Sequence, residues 1–217
     1  MAAEETLGPL PAGRHGFSRE QVAHHQRERL IAGLAAMVAE KGYRAVTITD
    51  VTRQARVSRR VFYENFEGKE ECFLGAFEVV VAHIRDLAGE AVAAVEDWPH
   101  QAIAAARSVL AFLAAEPDLA RLCLVEAQAA GPAVSARFHE TVHAAVPYLD
   151  RGRAQRPAAR ELPPSTEEST LGALIMLTSR KVAAGEAADL EDLLPDVAEF
   201  ILAPYLGAEE AVRLARA

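Results

Sequence analysis

The chain has 217 residues, with 23 Lys or Arg against 31 Asp or Glu, a formal net charge of −8, 51% apolar residues and 6% aromatic ones. That length and apolar content suffice for a real core in one or two domains, and proline and glycine fall at breaks rather than in repeats. The longest apolar runs, such as residues 109–115, have seven residues where a membrane helix needs roughly twenty. With no basic-then-apolar leader at the start, a cytoplasmic protein without a membrane partner is expected.

Residues 1–13 are broken by Gly and Pro and show no periodicity, which predicts a mobile tail. A first helix then announces itself through Phe17 and Val22 as an apolar staple and Ser18 with Gln21 as a capping box. Its apolar stripe is Leu30, Ile31, Leu34, Ala35 and Val38, and it should stop near Gly42. His24 and His25 lie on this segment with no partner at ligand spacing upstream, as on a solvated helix face.

Two short helices follow. Thr47 is placed to cap one, with Val46 and Val51 as staple; Ser58 is placed to cap the next, with Val57 and Phe62 as staple. Ala55 to Val57 form the turn between them. Ile48, Val51 and Ala55 share one side of the first, and Val61, Phe62 and Phe66 one side of the second, so the pair can cross and pack. Arg59, Arg60 and Tyr63 are left outward. This is a helix-turn-helix pattern, whose second helix is suited to a major groove of double-stranded DNA.

Charge supports that reading from another direction. Residues 14–69 hold eleven Lys or Arg against six Asp or Glu, a net of +5, while residues 70–217 hold twelve against twenty-three, a net of −11. A basic module on an acidic body is drawn to phosphates while the body is repelled.

Beyond Lys69 six or so helices are expected, in an all-α chain with no sheet. The first spans about 69–96 and carries Phe73, Phe77, Val80, Ile84, Leu87, Ala91 and Val95 in one stripe. The others span about 100–115, 119–130, 133–150, 166–184 and 190–203, with a last turn from Ala208. Residues 151–164, four arginines among prolines and small residues, read as the longest loop. Pro195 sits awkwardly in the penultimate segment, which argues for a later start there. Leu171, Leu174, Ile175, Thr178 and Val182 in one late helix, and Leu193, Leu194, Val197, Phe200 and Ile201 in the other, are broad enough to serve both the core and a homodimer interface. Cys72 and Cys123 lie in apolar helical patterns, as buried reduced thiols do.

One further string bears on chemistry. His139-Glu140-Thr141-Val142-His143 has the His-Glu-x-x-His spacing that sets two imidazoles and a carboxylate on one helix face of a zinc hydrolase. A catalytic zinc needs a third protein ligand and an open position. Glu161, Glu167 and Glu168 lie in a loop or on another helix, and no strand is present to hold a peptide substrate. A zinc-dependent hydrolase is therefore the alternative reading, and the favoured one has no catalytic residue, metal or cofactor.

Gly42-Tyr43-x-x-Val46-Thr47-Ile48-x-x-Val51, Ala55-x-Val57-Ser58 and Phe62-Tyr63-x-x-Phe66-x-x-Lys69-Glu70 together resemble the amino-terminal domain of the TetR family of transcriptional regulators. Leu202-Ala203-Pro204-Tyr205-Leu206-Gly207 resembles the end of one of the family's last helices. The amino-terminal match covers roughly a quarter of the chain. Two positions depart from the pattern: Arg56 replaces the turn glycine, which implies either a left-handed arginine at a cost of about 1 kcal/mol or a slightly different turn, and Val61 stands where threonine is common, favouring a thymine methyl over a hydrogen bond.

The resemblance implies a dimeric repressor that binds a near-palindromic operator and is released by a small-molecule effector. It implies a DNA-binding domain at 14–68 and an effector-binding and dimerisation domain at 69–217. Arg59, Arg60 and Val61 would face base edges, and Thr47, Ser58, Tyr63 and Lys69 would hold phosphates, with Asn65 beside them. Middle helices whose apolar faces are broken by polar groups suit an effector cavity. Its expected lining is Trp98, Phe112, Cys123, Glu126, Phe138, His139, His143, Met176 and Arg180. An effector there would tilt the long helix and shift the reading helices.

Overall fold

The computed structural model describes residues 18–217, and every regular element among them is helical. The expected mobile tail at 1–13, and Phe17 of the first staple, lie outside the described residues. Two compact units divide the chain, with the boundary between Ala76 and Phe77.

In the amino-terminal unit α1 spans Arg19–Lys41, α2 Ile48–Gln54 and α3 Arg59–Asn65, and α4, Lys69–Ala93, begins there. The Ser18–Gln21 capping box is formed in both directions. Gly42 ends α1 with φ at 76°, a left-handed value that glycine adopts without strain. A 3-10 turn, Tyr43–Ala45, leads to Thr47, which caps α2. Leu30, Leu34 and Val38 of α1, Val51 and Ala55, Phe62 and Phe66, and Phe73 of α4 form the buried core. Gly33 lets α1 and α2 touch, since a Cβ there would lie 3.1 Å from the Ala55 nitrogen.

The carboxy-terminal unit holds the rest of α4 and seven further α-helices, where six or so were expected for the whole stretch. They are α5 (Trp98–Ala115), α6 (Pro117–Leu124), α7 (Pro132–His143), α8 (Val146–Asp150), α9 (Thr166–Ala183), α10 (Leu194–Leu206) and α11 (Ala208–Ala215). The long segment expected at 133–150 is broken, because Pro147 has no N–H to bond to the His143 carbonyl and its ring would clash there. The helix expected at 119–130 ends as a 3-10 turn, Glu126–Ala129. Pro99 and Pro195 fall in first turns, where a missing N–H does no harm, so α5 starts earlier than expected and α10 later.

Residues 151–164 are not an irregular loop. They form two 3-10 turns, Arg151–Ala154 and Pro157–Glu161. Arg153 organises them: it donates to the carbonyls of Leu162 and Pro163 and, at 2.9 and 2.7 Å, to both oxygens of the buried Glu167. Tyr205 donates its hydroxyl to the same carboxylate at 2.9 Å, and its ring meets Trp98 edge-on at 5.0 Å. Gly152 lies against both rings, where an added Cβ would be 2.6 Å from Trp98. Around this knot Leu110, Leu113, Leu149, Val182, Leu190, Ile201 and Leu202 close the core.

Candidate nucleic-acid interface

The helix-turn-helix is α2, the turn Ala55 to Val57, and α3. Phe62 is fully buried while Arg59, Arg60 and Tyr63 are exposed, so α3 turns a polar face outward as its spacing predicts. Ser58 caps it by accepting from the Val61 N–H at 3.2 Å, which leaves its hydroxyl hydrogen unspoken for. Val61 is half-buried. The Asn65 side chain donates one of its two amide hydrogens back to the Val61 carbonyl at 2.8 Å, at the end of α3.

The turn itself adopts the conformation its missing glycine anticipates. Arg56 has φ of 53°, the only positive value outside glycine among the described residues. Arg29, buried on α1, donates to the carbonyls of Ala55 and Arg56 and so holds that turn from beneath. Burial, and then the charge of Arg56, lower the Arg29 pKa from its ordinary value.

Other cations also work inward. Arg27 donates to the Asn65 carbonyl at 3.0 Å and stacks 4.2 Å over the Phe66 ring. Lys41, at the end of α1, meets Asp50 at 2.7 Å, and Arg53 reaches the other Asp50 oxygen at 2.7 Å. Lys69 donates to the carbonyls of Tyr43 and Val46, both at 2.8 Å, with its ammonium 4.1 Å over the Tyr43 ring. Desolvation lowers its pKa. Two of its three hydrogens are thus taken, leaving one for a phosphate.

Thr47, expected at a phosphate, turns its donors toward Asp50 in this structure. Its backbone N–H goes to the Asp50 carboxylate at 2.9 Å and its hydroxyl to the same oxygen at 2.6 Å, so no hydrogen remains. Its place is that of a cap, and Asp50, which sequence reasoning passed over, is the hub of the site. Hydrogen bonds from Lys41 and Thr47 hold the Asp50 carboxyl far below the usual carboxylate range. The signal was Asp50 three residues after the cap, the reciprocal position of a capping box.

Arg44, Arg56 and Arg59 are exposed and make no side-chain hydrogen bond or ion pair among the described residues, which adds Arg44 and Arg56 to the cations available to phosphates. Arg60 is exposed but paired, its Nε donating to Glu64 at 2.8 Å one turn on. That pairing raises its pKa.

The expected effector residues divide between buried and exposed positions. Trp98 is packed against Tyr205 and donates its Nε1 hydrogen to the Tyr148 carbonyl at 2.8 Å. Cys123 is buried, its thiol pushed up to about 12 by desolvation. Glu126 is buried and paired with Arg121 at 3.1 Å; Phe138 is buried with its ring 6.3 Å from Phe77; Phe112 is half-buried and meets His83 edge-on at 5.0 Å. His139, His143, Met176 and Arg180 are exposed. They were expected inside because helical spacing alone does not say which stripe faces in.

The His-Glu-x-x-His string is an outward helix face. His139 Nδ1 lies 2.7 Å from the Ser135 carbonyl and Glu140 is 3.4 Å from Arg137. Among the described residues no group of three His, Cys, Asp or Glu side chains could hold a metal ion, and no helix is long and apolar enough to cross a membrane.

Residues 30–76 match the family model of bacterial regulatory proteins of the tetR family. No curated protein matches the chain. Among solved structures, the fatty acid degradation regulator FadR of Bacillus halodurans is similar at TM-score 0.72 and 19% identity, over 82% of this chain and 94% of its own. FadR of Bacillus subtilis, solved with stearoyl-CoA, is similar at 0.68 and 17%, over 83% and 98%. A TetR-family regulator of Syntrophomonas wolfei is similar at 0.71 and 19%, over 85% and 96%. These likenesses concern the fold, and the matched helix-turn-helix concerns the domain that carries the exposed arginines. The chain carries the amino-terminal domain and the all-helical fold of the TetR family of bacterial regulatory proteins.

Proposed function

We propose that the protein is a ligand-responsive transcriptional repressor that binds a near-palindromic operator as a homodimer and leaves it when a small-molecule effector binds. The observation that carries this reading is α3: Arg59, Arg60 and Tyr63 exposed on a helix whose opposite side, Phe62, is fully buried. Residues 14–68 would read DNA and residues 69–217 would bind the effector and the second subunit. Arg59, Arg60 and Val61 would meet base edges; Ser58, Tyr63 and the remaining hydrogen of Lys69 would meet phosphates. In a two-fold dimer the two copies of α3 would lie roughly 34 to 36 Å apart, one duplex turn.

For the effector, Phe112, Cys123, Glu126 and Phe138 are the members of the expected set that lie buried or half-buried, and the apolar ones among them would suit the apolar part of an amphipathic molecule. The Bacillus subtilis relative solved with stearoyl-CoA binds a molecule of that kind. Coupling would be a difference in effector affinity between DNA-bound and free arrangements, typically about 1 to 3 kcal/mol.

The test is selection of bound duplexes from a random pool, followed by release assays with amphipathic small molecules, acyl-CoA thioesters first. A near-palindromic winner released by one of them is expected. A chain that enriches no sequence at low salt would overturn the reading.

A further inference from the structure

We propose that Glu64 is a positioning residue for base reading: it holds Arg60 by the Nε so that only the two terminal nitrogens of the guanidinium are presented, end-on, to a guanine. This rests on the function proposed above and names one of its specificity determinants.

Glu64 is the only acid on α3, it is 51% exposed, and it stands on the face that would enter a groove lined by phosphates. An unpaired carboxylate there would oppose binding to any duplex. Paired, it does something else. Arg60 is 87% exposed, and its Nε, not a terminal nitrogen, makes the 2.8 Å bond to Glu64 Oε1.

An arginine can grip guanine O6 and N7 side-on, through Nε and one terminal nitrogen, or end-on, through both terminal nitrogens. With Nε held by Glu64, only the end-on fork remains. The same bond keeps Arg60 from swinging to a phosphate, where it would add affinity without sequence information.

In water such an i,i+4 pair on a helix contributes little. In a groove, with both groups losing water, it is held more firmly and fixes the direction of the fork. Arg59, its neighbour, has no such partner among the described residues. The two adjacent arginines are thus unequal: Arg60 is oriented, and Arg59 is free to follow bases or backbone.

The experiment is a parallel random-pool selection with the full-length unaltered chain, Glu64→Ala, Glu64→Asp and Arg60→Ala, with thermal melting as a check on folding. Glu64→Asp shortens the side chain by one methylene and weakens the hold without removing the charge.

The expected result is that Glu64→Ala loses preference for guanine at one position per half-site by about tenfold, the same position that Arg60→Ala loses. Elsewhere the selected sequence stays the same. Glu64→Asp falls between. On random duplex Glu64→Ala binds more tightly, and its salt slope steepens by about 0.9 as the freed arginine takes a phosphate.

Identical base preferences in the unaltered chain and Glu64→Ala would overturn this inference and leave the DNA-reading function standing. So would a position lost in Glu64→Ala but kept in Arg60→Ala, since Glu64 would then read a base itself. A pool left unenriched by the unaltered chain would overturn both.

Discussion

Arg29 donates from α1 to the Arg56 carbonyl at 3.2 Å, and Arg56 is the one residue other than glycine with positive φ among those described. The bond thus ties the first helix to the strained point of the helix-turn-helix. Removing it leaves carbonyls at the end of α2 without a donor. Arg29→Met should destabilise the amino-terminal unit by about 1 to 3 kcal/mol, read by urea unfolding. Arg56→Gly relieves a left-handed side chain worth about 1 kcal/mol, less the extra freedom of glycine in the unfolded chain. It should fall within about 1 kcal/mol of the unaltered protein, and a loss well beyond that would show that the Arg56 side chain, not its backbone, supports the turn.

Lys69 separates two roles that one residue can hold at once. Its two bonds to Tyr43 and Val46 predict that Lys69→Met lowers stability by about 1 to 3 kcal/mol even without DNA. Its remaining hydrogen predicts that the same change lowers the slope of log affinity against log salt by about 0.9, equally for operator and random duplex. A stability loss with an unchanged slope would make Lys69 a clasp alone.

Asp50 gives a pH dependence whose sign is set by its depressed pKa. In the folded chain Lys41 and Thr47 hold the carboxylate ionised; in the unfolded chain it titrates near its ordinary value of about 3.9. Its contribution is therefore complete above about pH 4 and is lost as pH falls further toward the folded value. Asp50→Asn should lower the melting temperature at pH 7 and flatten the acid limb below about pH 4, read by circular dichroism across pH. Parallel acid limbs in both proteins would show that other carboxylates govern acid unfolding.

What the sequence made legible were features written in local spacing. The caps at Ser18, Thr47 and Ser58 and the buried side of α3 all follow from residues within four positions of one another, whereas the resemblance left either a left-handed Arg56 or a slightly different turn open. Hidden were the partners brought from far along the chain. Arg27, Arg29, Lys41 and Lys69 counted equally toward the basic charge of residues 14–69, yet each faces a carbonyl, ring or carboxylate of its own unit. Charge counts cannot distinguish a cation that meets phosphate from one that caps a helix end. The same holds for Arg153, whose place in an apparent loop concealed its grip on Glu167, and for Met176 and His143, whose helical stripe proved to be the outer one.

The Glu167 knot predicts an order of effects. Tyr205→Phe removes one hydrogen bond and should destabilise by about 1 kcal/mol. Glu167→Gln keeps the shape but removes the charge that Arg153 grips with two bonds, so it should lower the melting temperature further. Gly152→Ala places a Cβ 2.6 Å from Trp98 and should destabilise by about 1 to 3 kcal/mol through overpacking. A quenched or shifted tryptophan emission in the last variant, against little change in Glu167→Gln, would separate the steric effect from the ionic one.

The proposed dimer draws on two large apolar side chains that the single chain leaves to solvent, Met176 on α9 at 74% exposure and Phe200 on α10 at 49%. Their neighbours Ile201 and Val182 turn the other way into the core, so each helix divides its apolar residues between the interior and an outer face. Charges placed on that outer face would oppose a two-fold interface twice, because each residue recurs across the axis. Met176→Glu combined with Phe200→Glu should leave the melting temperature of the single chain nearly unchanged while sedimentation shows monomers. Operator affinity should then fall steeply, since one α3 alone engages one half-site, while binding to a single half-site duplex persists. Unaltered dimerisation in the double variant would move the interface to another face.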